Sequence, residues 1–194
     1  MAAPRPGRLA ESGGVIRWRF APFADLTARE VHDLYQARAA CFVVEQDCVF
    51  QDLDGVDPVC WHLVGYQEPG SDPNVGDERG LRRHLARELG SDPKLVAYSR
   101  FVPAGVKFAE PSIGRVLTTM AVRGTGLGRE LMLESLRRAE TLWPGQPIRI
   151  GAQARLERFY VALGFVTASA PYDEDGIEHI EMLRPASRVP ETAA

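Results

Sequence analysis

The sequence predicts an α/β domain in which a mixed sheet is flanked by helices, and three observations carry that prediction. Residues 115–143 read as a strand, a tight glycine turn and a helix in unbroken succession. Residues 146–163 repeat the order of strand then helix, and Gly164-Phe165 closes that helix with glycine at the usual position past its end. Short runs at 15–20, 61–66, 95–102, 166–170 and 177–183 have strand composition, which brings the expected sheet to about six to seven strands.

Each element has a local cause. Residues 15–20 (VIRWRF) alternate apolar and basic side chains, as a half-exposed strand does. Thr27-Ala28-Arg29-Glu30 fits a capping box, and the helix that it starts runs on through Val31, Leu34, Tyr35 and Arg38. Residues 61–66 and 95–102 are the second and third strands. Between them, 67–94 form an insertion rich in Gly, Pro, Asp and Ser at both ends. Its middle, 78–89, spaces Leu81, Leu85 and Leu89 four apart and so predicts a short amphipathic helix. Residues 115–122 (RVLTTMAV) are β-branched and apolar, the composition of a buried strand. In 127–143, Leu127, Leu131, Ala139 and Leu142 share one stripe, widened by Met132, Leu136 and Trp143. Arg129, Glu130, Glu134, Arg137, Arg138 and Glu140 take the remaining surface. A strand at 146–151 and a helix at 152–163 follow. Residues 166–170 and 177–183 alternate as a last antiparallel pair, joined through 171–176.

At 194 residues and 45% hydrophobic, the chain has enough apolar side chain for one ordinary domain, expected at 15–184 between disordered tails at 1–14 and 185–194. A net charge of −3 argues against nucleic acid or an anionic membrane as the main partner. No apolar run reaches the ~20 residues that span a bilayer, and the first residues lack the apolar stretch of a secretory signal. Cys41, Cys48 and Cys60 have no metal or disulfide spacing, and an odd count suits a reducing, cytoplasmic setting. Residues 45–57 hold five acids and neither Lys nor Arg. Such acids ordinarily form solvated loops, and Asp54-Gly55 is a natural turn. The spacing lacks the glycine and glutamate of a calcium loop, so no metal site is expected.

The turn Arg123-Gly124-Thr125-Gly126-Leu127-Gly128 has the makings of a phosphate cradle. Glycine lets the backbone lie close to a ligand, and a helix start offers unpaired amides at the positive end of its dipole. A dinucleotide fingerprint fails, because Arg129 or Leu131 stands where its third glycine belongs. A triphosphate-binding loop fails because no Gly-Lys-Ser/Thr triplet follows. What remains, Arg-x-x-Gly-x-Gly after a strand, resembles the acyl-CoA pyrophosphate loop of the GNAT superfamily of acetyltransferases. Tyr160-x-x-x-Gly164-Phe165, seven residues after the amide side chain of Gln153, resembles the segment that closes the GNAT core. Phe42-Val43-Val44-Glu45-Gln46, Gly114-Arg115-Val116, Gly151-Ala152-Gln153-Ala154, Glu174-Asp175-Gly176-Ile177 and His179-Ile180 are similar to the ElaA-like branch. The likeness covers roughly 15–184 with its motifs in order. Three features depart from it: a longer 67–94 connection, Met120 in place of a frequent proline, and Gln153 in place of asparagine.

The resemblance implies a mostly antiparallel sheet with a V-shaped splay between strands four and five. It implies an N-acetyltransferase that moves an acetyl group from acetyl-CoA to a primary amine of a small molecule or peptide, by direct attack in a ternary complex. The backbone of Thr118, Thr119 and Met120 would bind the acyl and pantetheine portion. Arg123, Gly124, Thr125, Gly126, Leu127, Gly128 and Arg129 would bind the diphosphate, Gln153 would bind the pantetheine arm, and Tyr160 would also contact the coenzyme. Tyr160 stands where the family places its general acid; an ordinary phenol, with a pKa near ~10, stays protonated at neutral pH. Its other reading is an aromatic filling the helix–sheet interface. His179 resembles a family histidine and carries the side chain suited to a base; Glu45 is the second candidate, acting through water. His62 reads as a structural histidine, and His32 and His84 as exposed helical ones. The acids at 45–57 line the acceptor side in this architecture and suit a cationic amine. Two other readings stay open. One is a non-catalytic acyl-CoA sensor or scaffold that keeps 123–128 but needs neither acid nor base. The other notes that Arg38-x-x-x-Phe42-x-x-Glu45 resembles autoinducer synthases. A monomer and a homodimer fit the sequence equally.

Overall fold

The structure is a computed structural model that describes residues 15–68 and 93–186. The tail at 1–14, the expected 78–89 helix and all but Pro185 and Ala186 of the C-terminal tail lie outside the described residues. The strands are β1 Ile16–Pro22, β2 Trp61–Gln67, β3 Lys94–Val102, β4 Ser112–Thr118, β5 Ile148–Gln153, β6 Val166–Thr167, β7 Tyr172–Glu174 and β8 Ile177–Arg184. They form one eight-stranded sheet in the order β1-β2-β3-β4-β5-β8-β6, with β7 also paired to β8. The count exceeds the six to seven expected because the 171–176 connection itself holds β7, a three-residue strand too short to carry periodicity.

Three helices are described: α1 Ala28–Arg38, α2 Leu127–Leu142 and α3 Glu157–Val161. The capping box forms as expected: the Glu30 amide donates to Thr27 Oγ1 at 3.2 Å, and the Thr27 amide donates to Glu30 Oε2 at 2.8 Å. Helices α1 and α2 pack on opposite faces of the sheet. One core joins Leu63, Phe101, Ile113 and Phe165 to Leu131, Met132 and Ala139 of α2. The other joins Val64, Tyr66, Tyr98 and Leu117 to Leu34 of α1 and to Cys41. Covering on both faces is why β2 and β3 are apolar almost throughout instead of alternating.

Three local expectations change, and one turn was not expected at all. Strand β4 starts at Ser112 and stops at Thr118, and 120–122 tighten into a 3-10 turn. Strand β5 runs on to Gln153, so the helix expected from 152 starts only at Glu157, after a 3-10 turn at Ala154–Leu156. Glu134, expected on the surface of α2, is buried, with Arg137 Nη2 at 2.5 Å and Arg138 Nε at 2.7 Å from its carboxylate. Beyond α1, Ala39–Val44 widen into a π-helix, shown by the Glu45 amide donating to the Ala40 carbonyl at 3.0 Å. Nothing in the run AACFVV distinguishes that wider turn from an α-helix.

Candidate active site

The sheet is open at its middle. Strands β4 and β5 run parallel and pair only at Ser112 and Arg149, where the Arg149 amide also donates to the Pro111 carbonyl. Beyond that point they separate, which is the V-shaped splay expected between strands four and five. The left-handed backbone at Arg115 (φ 51°) and the register shift between Tyr98 and Arg100 mark a bulge on the β3 side of the same segment. A cavity of about 860 Å³ fills the splay. It is lined by both strands, by 41–50 from the π-helix segment, and by the β7–β8 turn.

At the wide end lies the glycine turn. Gly124 and Gly126 are left-handed, with φ of 79° and 91°, and Gly126 is the N-cap of α2. The ladder of α2 opens with the amides of Arg129 and Glu130 donating to the Gly126 carbonyl. The amides of 124–128 therefore lie ahead of the helix's own bonds, at the positive end of its dipole. A Cβ added at Gly124, Gly126 or Gly128 would meet nothing within 4 Å, so the protein's own side chains leave the space beside these glycines open. Strand alternation assigns the next contacts. The Thr119 amide is spent on the Val96 carbonyl at 2.9 Å, which turns the Thr118 amide toward the splay.

Among the residues singled out from sequence, Glu45, Thr118, Arg123, Gly128, Gln153, Tyr160 and His179 line one cavity. Thr119, Met120, Gly124, Thr125, Gly126, Leu127 and Arg129 do not line it; Met120 is 72% exposed on the 3-10 turn. Arg123 does not reach over the glycine turn. Its guanidinium pairs with both oxygens of Glu45 and donates to the Thr118 carbonyl at 3.2 Å. That hydrogen bond from Arg123 holds the Glu45 carboxyl below its ordinary pKa, which weakens Glu45 as a proton acceptor. Gln153 donates to Gln46 Oε1 at 3.2 Å and accepts from Arg155 Nε at 2.9 Å, tying the π-helix segment to the β5 wall.

Tyr160 is buried from α3, with its ring edge-on to Phe159 and Phe165. Its hydroxyl makes no hydrogen bond among the described residues, and burial pushes its pKa up to about 12. His179 lies across from Gln153 in the β5–β8 register. Its Nδ1 sits 2.8 Å from the Ile177 carbonyl, which can only accept, so Nδ1 carries the hydrogen. In the neutral ring the lone pair is then on Nε2. His62 is fully buried and structural. Its Nε2 donates to the Asp57 carbonyl at 3.2 Å, its Nδ1 accepts from the Tyr98 hydroxyl at 2.8 Å, and burial lowers its pKa. His32 is exposed; His84 lies outside the described residues.

Three of the five acids at 45–57, Asp52, Asp54 and Asp57, are not solvated loop carboxylates and do not line the cleft; Glu45 lines it paired to Arg123, and Asp47 is exposed. Arg38, fully buried, donates from Nε to Asp52 Oδ2 at 2.8 Å and from Nη1 to Asp57 Oδ1 at 2.7 Å. Arg100 clasps Asp54 through two bonds of 2.8 Å and reaches Asp57 at 3.0 Å. Arg115 lies 2.6 Å from Asp52, and Lys107 3.1 Å from Asp54. Burial alone would raise the Asp57 pKa, but Arg38 and Arg100 overcome it and hold the carboxyl ionised. Sequence reasoning also missed Arg100, Lys107, Tyr172 and Glu181 as lining residues, and no local signal marks them.

A splayed parallel pair, a glycine turn opening a helix and a cavity between them define an acyl-CoA-dependent acyltransferase of the GNAT type. Residues 88–184 match the Acetyltransferase (GNAT) domain family. The chain belongs to that family, in its ElaA-like branch, and is an N-acyltransferase enzyme. It is 35% identical to ElaA of Escherichia coli over 171 residues, covering 88% of this chain and 97% of ElaA. It is also 35% identical to a UPF0039 protein of Synechocystis over 168 residues, 87% of this chain and 94% of that one. Among solved structures, an acyl-CoA N-acyltransferase from Pseudomonas aeruginosa superposes with a TM-score of 0.71 at 35% identity, over 88% of this chain and 99% of that one. The crystal structure of E. coli ElaA superposes with a TM-score of 0.70 at 33% identity, over the same shares.

Proposed function

We propose that the protein acetylates a primary amine of a small molecule or peptide with acetyl-CoA, by direct attack within a ternary complex. One observation carries the reading: the free Tyr160 hydroxyl and the His179 ring line the same cavity between the separated strands. Bound acetyl-CoA supplies an activated carbonyl and a thiol leaving group. The amides of 124–128 hold its diphosphate, and the Thr118 amide faces the acyl end. A single amide directed at a developing oxyanion is worth about 2.7–4 kcal/mol where this has been measured. His179 Nε2 takes the proton from the attacking amine. Tyr160, raised to about 12, stays protonated throughout the working range. An ordinary thiol ionises near ~8.5, so the phenol stabilises the departing sulfur as a hydrogen-bond donor and does not surrender its proton outright. Glu45, committed to Arg123, is a positioning residue in this scheme.

The test is a panel of amines and peptides with acetyl-CoA, followed by free-thiol release. Product from at least one amine is expected; tight acetyl-CoA binding with no product from any member would favour the sensor reading instead. His179→Gln is expected to lower kcat about 100-fold while leaving acetyl-CoA affinity nearly unchanged, since glutamine keeps a polar side chain but cannot take up the proton. Wild-type kcat in the variant would exclude His179 as the base.

A further inference from the structure

Apart from the Glu45–Arg123 pair and Arg155, the charges that line the cavity are sorted by wall. On the β3–β4 side the charged lining side chains are Arg100, Lys107 and Arg115, all cationic, while their partners Asp52, Asp54 and Asp57 do not line it. The carboxylates stand behind and the cations in front. Within that cluster Arg38, Arg100, Arg115 and Lys107 face three carboxylates, which leaves one positive charge uncompensated. Arg100 is 1% exposed and its Nε–H has no partner among the described residues, an unspent donor on a buried group. Across the splay, the lining residues of the β7–β8 side include Glu174, Asp175 and Glu181. Glu181 is held by Arg149 at 2.8 Å, and Glu174 lies 3.9 Å from His179 Nδ1.

A purely cationic acceptor, which the acid-rich sequence at 45–57 favoured, meets guanidinium and ammonium groups on one wall. We infer that the acceptor is a zwitterion of the amino-acid type, its amine on the β7–β8 wall beside His179 and its carboxylate on the β3–β4 wall at Lys107 and Arg115. The arrangement rests on the acyl-transfer reading for the amine's destination, but the charge matching stands apart from it. A carboxylate meeting Arg or Lys makes charge-assisted hydrogen bonds, and Lys107 is the member of the wall with the most solvent access, its side chain 38% exposed. It is the one that can be replaced without opening the buried cluster.

The experiment uses matched pairs that differ only by a carboxylate: lysine and cadaverine, ornithine and putrescine, phenylalanine and phenethylamine, leucine and isoamylamine. Each is titrated calorimetrically into the CoA-saturated protein. The carboxylate-bearing member is expected to bind about tenfold tighter in at least one pair, the effect of one net charged hydrogen bond. Lys107→Met should bring that ratio close to one, and Lys107→Arg should restore most of it. Equal or weaker binding of the carboxylate member in all four pairs would overturn the inference, as would a preference that survives Lys107→Met. Thiol release from acetyl-CoA with the same compounds separates the two claims. Preference in binding without release sinks the proposed reaction alone, and release without preference sinks the charge assignment alone.

Discussion

Tyr160→Phe is expected to lower kcat about 100-fold while changing acetyl-CoA affinity by less than about twofold. The reason lies in what the hydroxyl does and does not touch. The ring is clamped edge-on by Phe159 at 5.0 Å and Phe165 at 5.8 Å, contacts that phenylalanine keeps. The hydroxyl has no partner among the described residues, so its loss orphans no buried group and leaves the folded state close to its original stability. What disappears is the one phenolic donor of α3 on the cavity wall, needed when sulfur takes on charge. A loss confined to KM would place Tyr160 among the binding contacts; unchanged kinetics would return it to a packing role.

Asp57→Ala is expected to destabilise the protein by about 3–5 kcal/mol, because removing one partner of a buried ion pair leaves the others uncompensated. Asp57 is 2% exposed and accepts from Arg38 at 2.7 Å and from Arg100 at 3.0 Å. Both guanidiniums are buried, so water cannot replace the lost oxygen. For a domain of this size such a loss lowers Tm by about 10 °C, readable by calorimetry. The same cluster sets the acid limit. The folded-state pKa values of Asp54 and Asp57 lie below the ordinary range, against the pull of burial, because Arg38, Arg100 and Lys107 surround them. Their contribution is therefore fully present above the ordinary aspartate pKa of ~3.9 and is lost as pH falls toward the folded-state values. In Asp57→Ala that part of the acid-induced loss should shrink. A variant with wild-type Tm would show that the cluster stabilises nothing.

What could be read from the sequence was local. The capping box at Thr27, the stripe of α2, the left-handed glycines at 124 and 126 and Gly164 past α3 all follow from residues within one or two turns of each other. The GNAT likeness added the splay, since two strands that pair only at Ser112 and Arg149 leave no periodic trace in either. What could not be read depends on distant partners. Arg100 finds Asp54 and Asp57 more than forty positions earlier, so five acids without a nearby cation looked solvated when three of them are clasped. The pairing of Arg123 with Glu45, 78 positions apart, is equally silent in sequence, and it joins the intended phosphate-side arginine to the second candidate base. The end of β5 was misplaced because 152–156 (AQARL) suits a helix by composition, whereas pairing of Ala152 and Gln153 with β8 holds them extended.

The claim on which the rest stands is that the amides of 124–128 hold the diphosphate of acetyl-CoA. The direct measurement is the thermal shift with acetyl-CoA for the wild-type protein and for Gly126→Val. A valine at φ 91° costs about 1–3 kcal/mol of backbone strain, less than the stability of an ordinary domain, so the variant remains folded. The wild type should gain about 2.7 kcal/mol at a hundredfold excess over Kd. The folded variant, with a branched side chain standing in the space open above the turn, should gain nothing. An equal shift in both proteins, or no shift in the wild type, would contradict the account.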